Sequence, residues 1–480
     1  MATSGNSLSA INHIVVLMLE NRSFDHMLGF LYTDAGNVSP AGQAYEGLTG
    51  KESNLGSGGA PVTVFKIQSG AASTYFMPGA DPGEGYTATN AQLFGSNTAP
   101  TPPVSTNQGF VSNFAYTLSW ESKNKSYSIY PGTVANDIMG MHTPDTLPVL
   151  SALARGFAVC DHWYGSAPTE TLPNRAFAHA ATSQGHMDDK TKTFTAPSIF
   201  GALSKQNISW KIYGYDADPL TRHTFTDITN LGDTYFGEFK DFQADAANGT
   251  LPSYAFLEPS WGSKGNSQHP NYDVALGEQY IHDLYYALRN SPQWNQTLLI
   301  ITYDEHGGCY DHVPPPTNAV PPDNSAGEYG FDFKRFGPRV PTLLISPLIP
   351  AGTVFRASGS TPLDHTSVLK TMQLRWGLQP LTARDAAAPD VSAAISLTTP
   401  RTDDPLASVT VPASKGVNPS ANKPSHLQEV YADLVSRLPV PDATGDTLRL
   451  PPRLETDYDY DRYIKERLAA WKASRVVVEK

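Results

Sequence analysis

The sequence predicts an α/β fold, a three-layer sandwich with a mainly parallel central sheet, and three observations lead to this prediction. Apolar runs, typical of strands buried on both faces, occur at residues 11–19 and 297–303. Helical patterns lie between such runs, for example at residues 273–289. Hydrophobic residues make up 40% of the 480 residues, which is enough to bury a large core. Strands that alternate with helices form parallel sheets covered on both faces.

The remaining elements follow the same alternation along the chain. Further strands are predicted at residues 157–160, 209–213, 254–258 and 340–346. Further helices are predicted at residues 23–31, 146–155, 174–182 and 364–376. Since ligands of such sheets collect at the carboxyl ends of the strands, those ends are the expected place for a functional site.

Composition divides the chain into a catalytic domain and an extension. Residues 1–400 are expected to form one domain, with a loop-rich insertion of loops and short strands at about 33–135, where Gly, Ser, Thr, Asn and Pro are frequent. Residues 401–480 are expected to be a C-terminal extension packed on the same domain. Its last part, residues 457–475, has the pattern of a charged amphipathic helix.

The charge balance excludes some classes of partner. The net charge is −12, from 34 basic and 46 acidic residues, and this argues against nucleic acid. No run of about 20 apolar residues occurs, so no transmembrane segment is expected. Residues 1–12 show no signal-peptide pattern. The expected localisation is secreted or periplasmic if the N-terminus has been processed and cytoplasmic otherwise. The sequence does not specify an oligomeric state.

Two pairs of oxygen-bearing side chains stand at predicted strand ends. Glu20 and Asn21 follow the first strand, and Asp304 and Glu305 follow the strand at residues 297–303. Carboxylates at neighbouring strand ends can converge on a cation, and oxygen ligands suit Mg²⁺ or Ca²⁺. The alternative is that these side chains cap the turns that follow.

Thr171 lies where a loop turns into a predicted helix, in the segment PTETLPNR at residues 168–175. A hydroxyl at a helix N-terminus is close to free backbone N–H groups, which favour a phosphate. A metal ion bound to that hydroxyl would make it a nucleophile. The alternative, which spacing alone favours, is that Thr171 is the N-cap of the helix.

Other reactive side chains are less distinctive. Of thirteen histidines, four stand beside Asp, Glu or Pro near strand ends, namely His269, His306, His312 and His365. We expect only one or two of them to touch substrate, since a single histidine is usually structural. The two cysteines, Cys160 and Cys309, flank apolar runs and are interpreted as buried free thiols, with a disulfide as the alternative.

Five blocks of sequence resemble the phosphoesterase family of bacterial and plant non-specific phospholipases C and acid phosphatases. They are HIVVLMLENRSFDH at residues 13–26, FAVCD with TLPNR at 157–161 and 171–175, HP with DV and G at 269–277, SPQWNQTL with ITYDEHGGCYDHVP at 291–314, and RVP, SP and DHTS at 339–367. The resemblance covers residues 11 to 378 in consistent order. It implies an alkaline-phosphatase-like fold.

The resemblance also implies a catalytic apparatus. It implies a divalent metal ion, with Ca²⁺ or Mg²⁺ favoured and Zn²⁺ as an alternative, held by Glu20, Asn21, Thr171, Asp304 and Glu305. Thr171 would be both ligand and nucleophile and would form a phospho-threonine intermediate. His269 would protonate the leaving group. Substrate-binding roles are implied for Asn174, Arg175 and His365, and Asn174 and Arg175 would orient either the phosphoryl group or the loop.

One position departs from the pattern of the plant members, which have a Asp-Pro-Gly-His block. This chain has Asp81-Pro82-Gly83-Glu84, so Glu84 stands where histidine is expected. Because of this difference, the resemblance does not specify the rate of the reaction or the preferred substrate.

Three functions remain open at this stage. The implied one is phospholipase C-type cleavage of phosphate esters, including phospholipids. The alternatives are a broad-specificity acid phosphatase and, more remotely, a non-catalytic binding protein of the same fold. A sulfatase is excluded because its nucleophile is a modified Cys or Ser, which Thr171 cannot become.

Overall fold

The computed structural model describes residues 7–56, 58–124, 129–262, 264–418, 422–440 and 454–478. The strands in chain order are β1 (His13–Leu19), β2 (Ser53–Leu55), β3 (Pro61–Thr63), β4 (Phe65–Lys66), β5 (Gly140–Met141), β6 (Ala158–Val159), β7 (Trp163–Tyr164), β8 (Trp210–Gly214), β9 (Phe236–Glu238), β10 (Tyr254–Leu257), β11 (Thr297–Tyr303), β12 (Thr342–Ile345), β13 (Thr353–Val354) and β14 (Leu363–Asp364). The α-helices are α1 (Phe24–Leu28), α2 (Tyr86–Phe94), α3 (Phe110–Asn124), α4 (Pro148–Gly156), α5 (Thr171–Ala180), α6 (Ile199–Lys205), α7 (Leu220–Thr224), α8 (Phe239–Asn248), α9 (Val274–Arg289), α10 (Thr366–Trp376), α11 (Ala383–Ala387), α12 (His426–Ser436) and α13 (Asp457–Val478).

Eight strands form one central sheet in the order β13-β6-β12-β11-β1-β10-β8-β9. Neighbouring strands run parallel except at β12, which is antiparallel to both β11 and β6. The middle strands β1 and β11 are buried along almost their whole length. Side chains on both faces of these strands are therefore apolar, which explains the apolar runs in the sequence. The predicted α/β class with a mainly parallel sheet is confirmed.

Helix α5 begins three residues earlier than residue 174, where the sequence pattern places it. Pro173 is the third residue of the helix. Proline is accepted there because the N–H groups of the first turn have no partner within the helix. The earlier start places Thr171 itself in the first turn of α5.

The insertion at residues 33–135 contains two helices in addition to the expected loops and short strands. Helix α3 buries Phe110, Val111 and Phe114 in a satellite core that also includes Leu93 of α2. This core lies in a segment for which the sequence predicts loops and short strands but no helix. The helix is stabilised by contacts with distant residues rather than by its local composition.

The C-terminal helices pack against the part of the domain that carries Thr171. Apolar residues of α12 and α13 form one cluster with Leu172, Leu220 and Trp261. Asp218 also pairs with Lys472 of α13 at 2.6 Å. These contacts agree with an extension packed on the same domain, and the predicted boundary near residue 400 stays a prediction. None of the described helices combines the length and the apolar character needed to cross a bilayer.

Candidate active site

The parallel pairing of β1 and β11 brings the two predicted acidic pairs together. Leu19 is the register partner of Tyr303, so the residues that follow each strand lie side by side. The backbone N–H of Asn21 donates a hydrogen bond of 2.9 Å to Oδ1 of Asp304. Glu20, Asn21, Asp304 and Glu305 are all buried.

The turn after β1 has a conformation that its own residues make accessible. Asn21 has φ of 55°, in the left-handed region that asparagine adopts more readily than most residues. Gly307 lies against it, and a Cβ atom at this glycine would be 1.9 Å from the carbonyl oxygen of Asn21. Gly307 is therefore required for the turn after β11 to pack against the turn after β1.

Thr171 points at this turn. Its Oγ1 donates a hydrogen bond of 3.1 Å to Oδ1 of Asn21, and the residue is 2% exposed. The N-cap position of α5 is occupied by Glu170. The hydroxyl of Thr171 therefore bonds to Asn21, which follows β1, and does not cap helix α5.

Arg175 joins helix α5 to both central strands. Its Nε and Nη2 atoms lie 3.0 and 2.9 Å from Oδ2 of Asp304. Nη2 also donates to the carbonyl oxygens of Met18 and Leu19 at 3.2 Å each. The guanidinium group therefore fixes Asp304 relative to Thr171, whereas the predicted contact of Arg175 with substrate stays a prediction.

Asn174 and His365 hold the backbone around the site. Oδ1 of Asn174 accepts from the N–H of Ala167 at 3.0 Å, and its Nδ2 donates to the carbonyl oxygen of Thr169 at 2.9 Å. Of the two roles open to Asn174, this is the one of orienting the loop. Nε2 of His365 lies 2.6 Å from the carbonyl oxygen of Asp304, behind the strand end. A contact of His365 with substrate stays a prediction.

His269 lies next to two further acidic residues, Asp81 and Glu84. Its Nδ1 is 3.0 Å from the carbonyl oxygen of Pro270, and its Nε2 is 4.0 Å from Oε2 of Glu84. Burial lowers the pKa of the imidazole, but the carboxylates of Asp81 and Glu20 outweigh this effect and hold the pKa above its ordinary value. The ring is therefore suited to carry a proton.

Comparison with known proteins identifies the family. The sequence model of the Phosphoesterase family matches residues 11–379. The chain belongs to the phosphoesterase family. Non-specific phospholipase C6 of Arabidopsis thaliana is 36% identical over 89% of this chain and 80% of its own length. Phospholipase C A of Mycobacterium tuberculosis is 30% identical over 82% of this chain and 78% of its own. Family membership makes the chain a phosphoric ester hydrolase.

The solved structures that match this chain do so at low sequence identity and over part of its length. A protein in the alkaline phosphatase superfamily from Vibrio parahaemolyticus is 14% identical, with a TM-score of 0.31, over 51% of this chain and 64% of that one. The family assignment rests on the sequence matches.

The carboxylates of this phosphoesterase are buried close together. Burial raises the pKa of Glu20 to about 7, and burial together with the charge of Asp304 raises that of Glu305 well above its usual range. Oε2 of Glu305 accepts from the N–H of Gly307 at 2.7 Å, but Oε1 has no hydrogen-bond partner among the described residues. A buried acceptor without a partner is costly, so the site fits a bound cation.

Histidine and carboxylate groups with ligand atoms mutually within 4.8 Å occur at two places among the described residues. One is Asp25, Asp311 and His312. Arg339 already neutralises it, with Nη2 2.8 Å from Oδ1 of Asp25, so it serves as an ion-pair network. The other is Asp81, Glu84 and His269, at the active site. Glu20, Asp304 and Glu305 do not form a third such group.

The other residues singled out from the sequence have structural surroundings. His306 lies between Glu305 and Gln92, with Nε2 2.8 Å from Oε1 of Gln92. Nδ1 of His312 is 2.7 Å from Oδ2 of Asp25. Cys160 and Cys309 are free and buried, so the thiol interpretation is confirmed.

Asp189 is a member of the site that the sequence did not indicate. Its Oδ1 accepts from the N–H of Leu172 at 2.6 Å, and its carboxylate also accepts from the N–H of Thr171. Burial raises its pKa to about 7. The sequence predicts that free N–H groups at the start of α5 face a phosphate, but those of Thr171 and Leu172 donate to Asp189 instead. Asp189 stands in a polar loop far from any predicted strand end, so no local pattern distinguishes it.

Replacing Arg175 with Met should lower the free energy of unfolding by about 3–5 kcal/mol, because Asp304 would remain buried without its cation. The free energy of unfolding of Arg175→Lys should lie between that of this variant and that of the wild type. One ammonium group cannot form the several hydrogen bonds of the planar guanidinium group. Chemical denaturation provides the measurement. Arg437→Met is the control, because its partner Asp433 lies on the surface and the side chain of Arg437 is mostly exposed. Equal effects of Arg175→Met and the control would contradict the role of Arg175.

Proposed function

We propose that this phosphoesterase is a phospholipase C-type hydrolase that attacks the phosphorus of phosphodiesters, including phospholipids, with the hydroxyl of Thr171. The observation that carries this proposal is the hydrogen bond from Thr171 Oγ1 to Asn21 Oδ1. This bond supports the proposal because the Thr171 hydroxyl lies next to the buried oxygens that follow β1 and β11. The relatives named phospholipase C support the same reaction type.

The oxygens around Thr171 are the proposed holder of a divalent metal ion. Its ligands would come from Glu20, Asn21, Thr171, Asp304 and Glu305. When bound, such an ion would lower the pKa of the Thr171 hydroxyl and offset negative charge on the phosphate. Ca²⁺ or Mg²⁺ is proposed rather than Zn²⁺, since the donors are all oxygen atoms.

The reaction follows as two displacements at phosphorus. In the first, the Thr171 hydroxyl gives up its proton to solvent, and its oxygen forms a bond to phosphorus while the bond to the leaving alkoxide breaks. His269 donates a proton to that alkoxide and becomes neutral. In the second, water attacks the phospho-threonine and gives up a proton to His269, and the Thr171 oxygen leaves and takes up a proton from solvent. Arg175 and His365 hold Asp304, and Asn174 holds the loop before Thr171, so that these groups stay aligned.

The charge around the site favours diesters over monoesters. A phosphomonoester is a dianion near neutral pH, and a site for it needs extra cationic groups. Here Nε and Nη2 of Arg175 are engaged with Asp304 and two carbonyl oxygens, and only the buried Nη1 has no partner among the described residues. The acidic side chains of Glu84, Glu170 and Asp189 lie near one another, and burial raises the pKa of each. A singly charged diester is repelled less, so the acid phosphatase alternative is not favoured.

Thr171→Ala should lower kcat for p-nitrophenylphosphorylcholine by at least about a thousandfold, because no other hydroxyl occupies this position. Thr171→Ser should retain a much larger share of the activity. The melting temperatures of both variants should stay close to that of the wild type. A Thr171→Ala enzyme of normal stability that kept more than a tenth of the activity would rule out Thr171 as the nucleophile.

Removal of metal should abolish hydrolysis, and Ca²⁺ or Mg²⁺ should restore it. Elemental analysis of the wild type should find about one divalent ion per chain at this site, and Glu20→Gln should reduce that content because it removes an ionised ligand. Glu238→Gln, a change at a half-exposed ion pair with Lys240, is the control. Full activity in protein shown to be free of metal would contradict the proposed cofactor.

His269→Ala should damage hydrolysis most where the leaving group is poor. A general acid contributes about a hundred- to ten-thousandfold to an alkoxide leaving group, whereas p-nitrophenolate leaves with little protonation. The loss of kcat/KM should therefore be far greater for diacylglycerol or alkyl esters than for p-nitrophenyl esters. An equal loss across a series of leaving groups would show that His269 only binds the phosphate.

A further inference from the structure

Arg22 is a fully buried cation next to the candidate metal ligands. It directly follows Asn21 and is 0% exposed, yet no carboxylate among the described residues forms a salt bridge with it. A buried charge without an ionic partner is costly and stabilises a fold poorly. The role of this side chain therefore has to be sought in the groups that it does bind.

The guanidinium group of Arg22 donates to three backbone carbonyl oxygens. Nε donates to Gln268 at 2.6 Å, Nη2 to His269 at 3.1 Å and Nη1 to Met77 at 2.7 Å. Gln268 and His269 belong to the loop that carries the candidate proton donor. Met77 begins the segment 77–84, whose acidic side chains lie next to the imidazole of that donor. One side chain thus joins the two segments that surround the imidazole.

The backbone just before His269 has a conformation that needs support from its surroundings. Gln268 has φ of 66°, in the left-handed region that residues other than glycine, asparagine and aspartate seldom adopt. Such a conformation persists only where neighbouring groups hold it. Arg22 binds the carbonyl oxygen of Gln268, and the hydroxyl of Tyr303 donates to Oε1 of the same residue. The peptide group that leads into His269 is therefore fixed from two sides.

The position of this loop decides where the imidazole of His269 points. Nδ1 of the ring lies 3.0 Å from the carbonyl oxygen of Pro270 in the same loop. In the protonated ring, Nδ1–H donates to this oxygen, and the proton on Nε2 remains available for a substrate. Because the loop itself holds the ring, a shift of the loop moves Nε2 as well. A misplacement of about 1 Å can slow a reaction by about a hundredfold.

We propose that Arg22 is the positioning residue of the proton donor. Its guanidinium group holds the backbone of Gln268 and His269 so that Nε2 of His269 faces the leaving group. This inference rests on the proposed function and deepens it. The proton passes from Nε2 to the leaving alkoxide, and Arg22 keeps its own protons throughout. Loss of Arg22 should therefore matter most where the leaving group needs a proton.

The test uses aryl phosphorylcholines that differ only in the leaving phenol, from p-nitrophenol to the less acidic p-methoxyphenol. Arg22→Lys keeps the charge but loses the planar fork that binds three oxygens. It should lower kcat/KM by about a hundredfold for the p-methoxyphenyl ester and by less than about tenfold for the p-nitrophenyl ester. Arg22→Gln should show the same trend with larger losses. Adding either change to His269→Ala should produce no further dependence on the leaving group.

Arg467→Lys is the matched control, because the buried Arg467 of α13 also donates to three backbone carbonyl oxygens. Any change of kcat/KM that it causes should be equal for all esters. An equal loss across the esters in both Arg22 variants, no loss in either, or failure of both to fold would overturn the positioning role.

The variant His269→Ala separates this inference from the proposed function. A dependence on the leaving group in His269→Ala but not in the Arg22 variants would overturn the role of Arg22 alone. If His269→Ala itself showed no such dependence, the proposed proton donor would fail, and the role of Arg22 would fall with it.

Discussion

The ion pair between Arg175 and Asp304 is the contact on which the arrangement of the active site depends. One guanidinium group binds the carboxylate at the end of β11 and the last two carbonyl oxygens of β1. Since Arg175 lies one helical turn after Thr171, the same contact sets the distance between the Thr171 hydroxyl and the strand ends. Asp304 in turn accepts the N–H of Asn21, whose side chain accepts the Thr171 hydroxyl. Loss of this pair would therefore displace several groups at once.

The cost of this arrangement is a concentration of like charges away from water. Glu20 and Asp189 both have pKa values raised to about 7, and burial is the main cause in each case. One arginine cannot neutralise all of these carboxylates. A fold that was selected for stability alone would not bury them together. Their proximity is understandable if a metal ion near Thr171 completes the site.

The sequence predicts those parts of the site that follow from strand order. Two apolar runs are followed directly by Glu20, Asn21, Asp304 and Glu305. The parallel pairing of β1 and β11 then brings these residues together. The surroundings of Arg175 could not be derived in this way, because its partner lies 129 residues further along the chain. Asp189 and the core under α3 depend in the same manner on contacts between distant segments. Local patterns therefore indicate the elements of the fold, whereas packing between them decides which polar groups meet.

Glu84 shows how one substitution can affect both halves of the site. The plant members that this chain resembles have histidine at this position, and the carboxylate of Glu84 accepts a hydrogen bond from Nδ2 of Asn21. An amide has one donating and one accepting end, so this bond turns Oδ1 of Asn21 towards Thr171. A neutral imidazole can either accept or donate and would orient the amide less strictly. Oε2 of Glu84 also lies 4.0 Å from Nε2 of His269. The same residue thus orients the amide that accepts the Thr171 hydroxyl and faces the imidazole proposed as the proton donor.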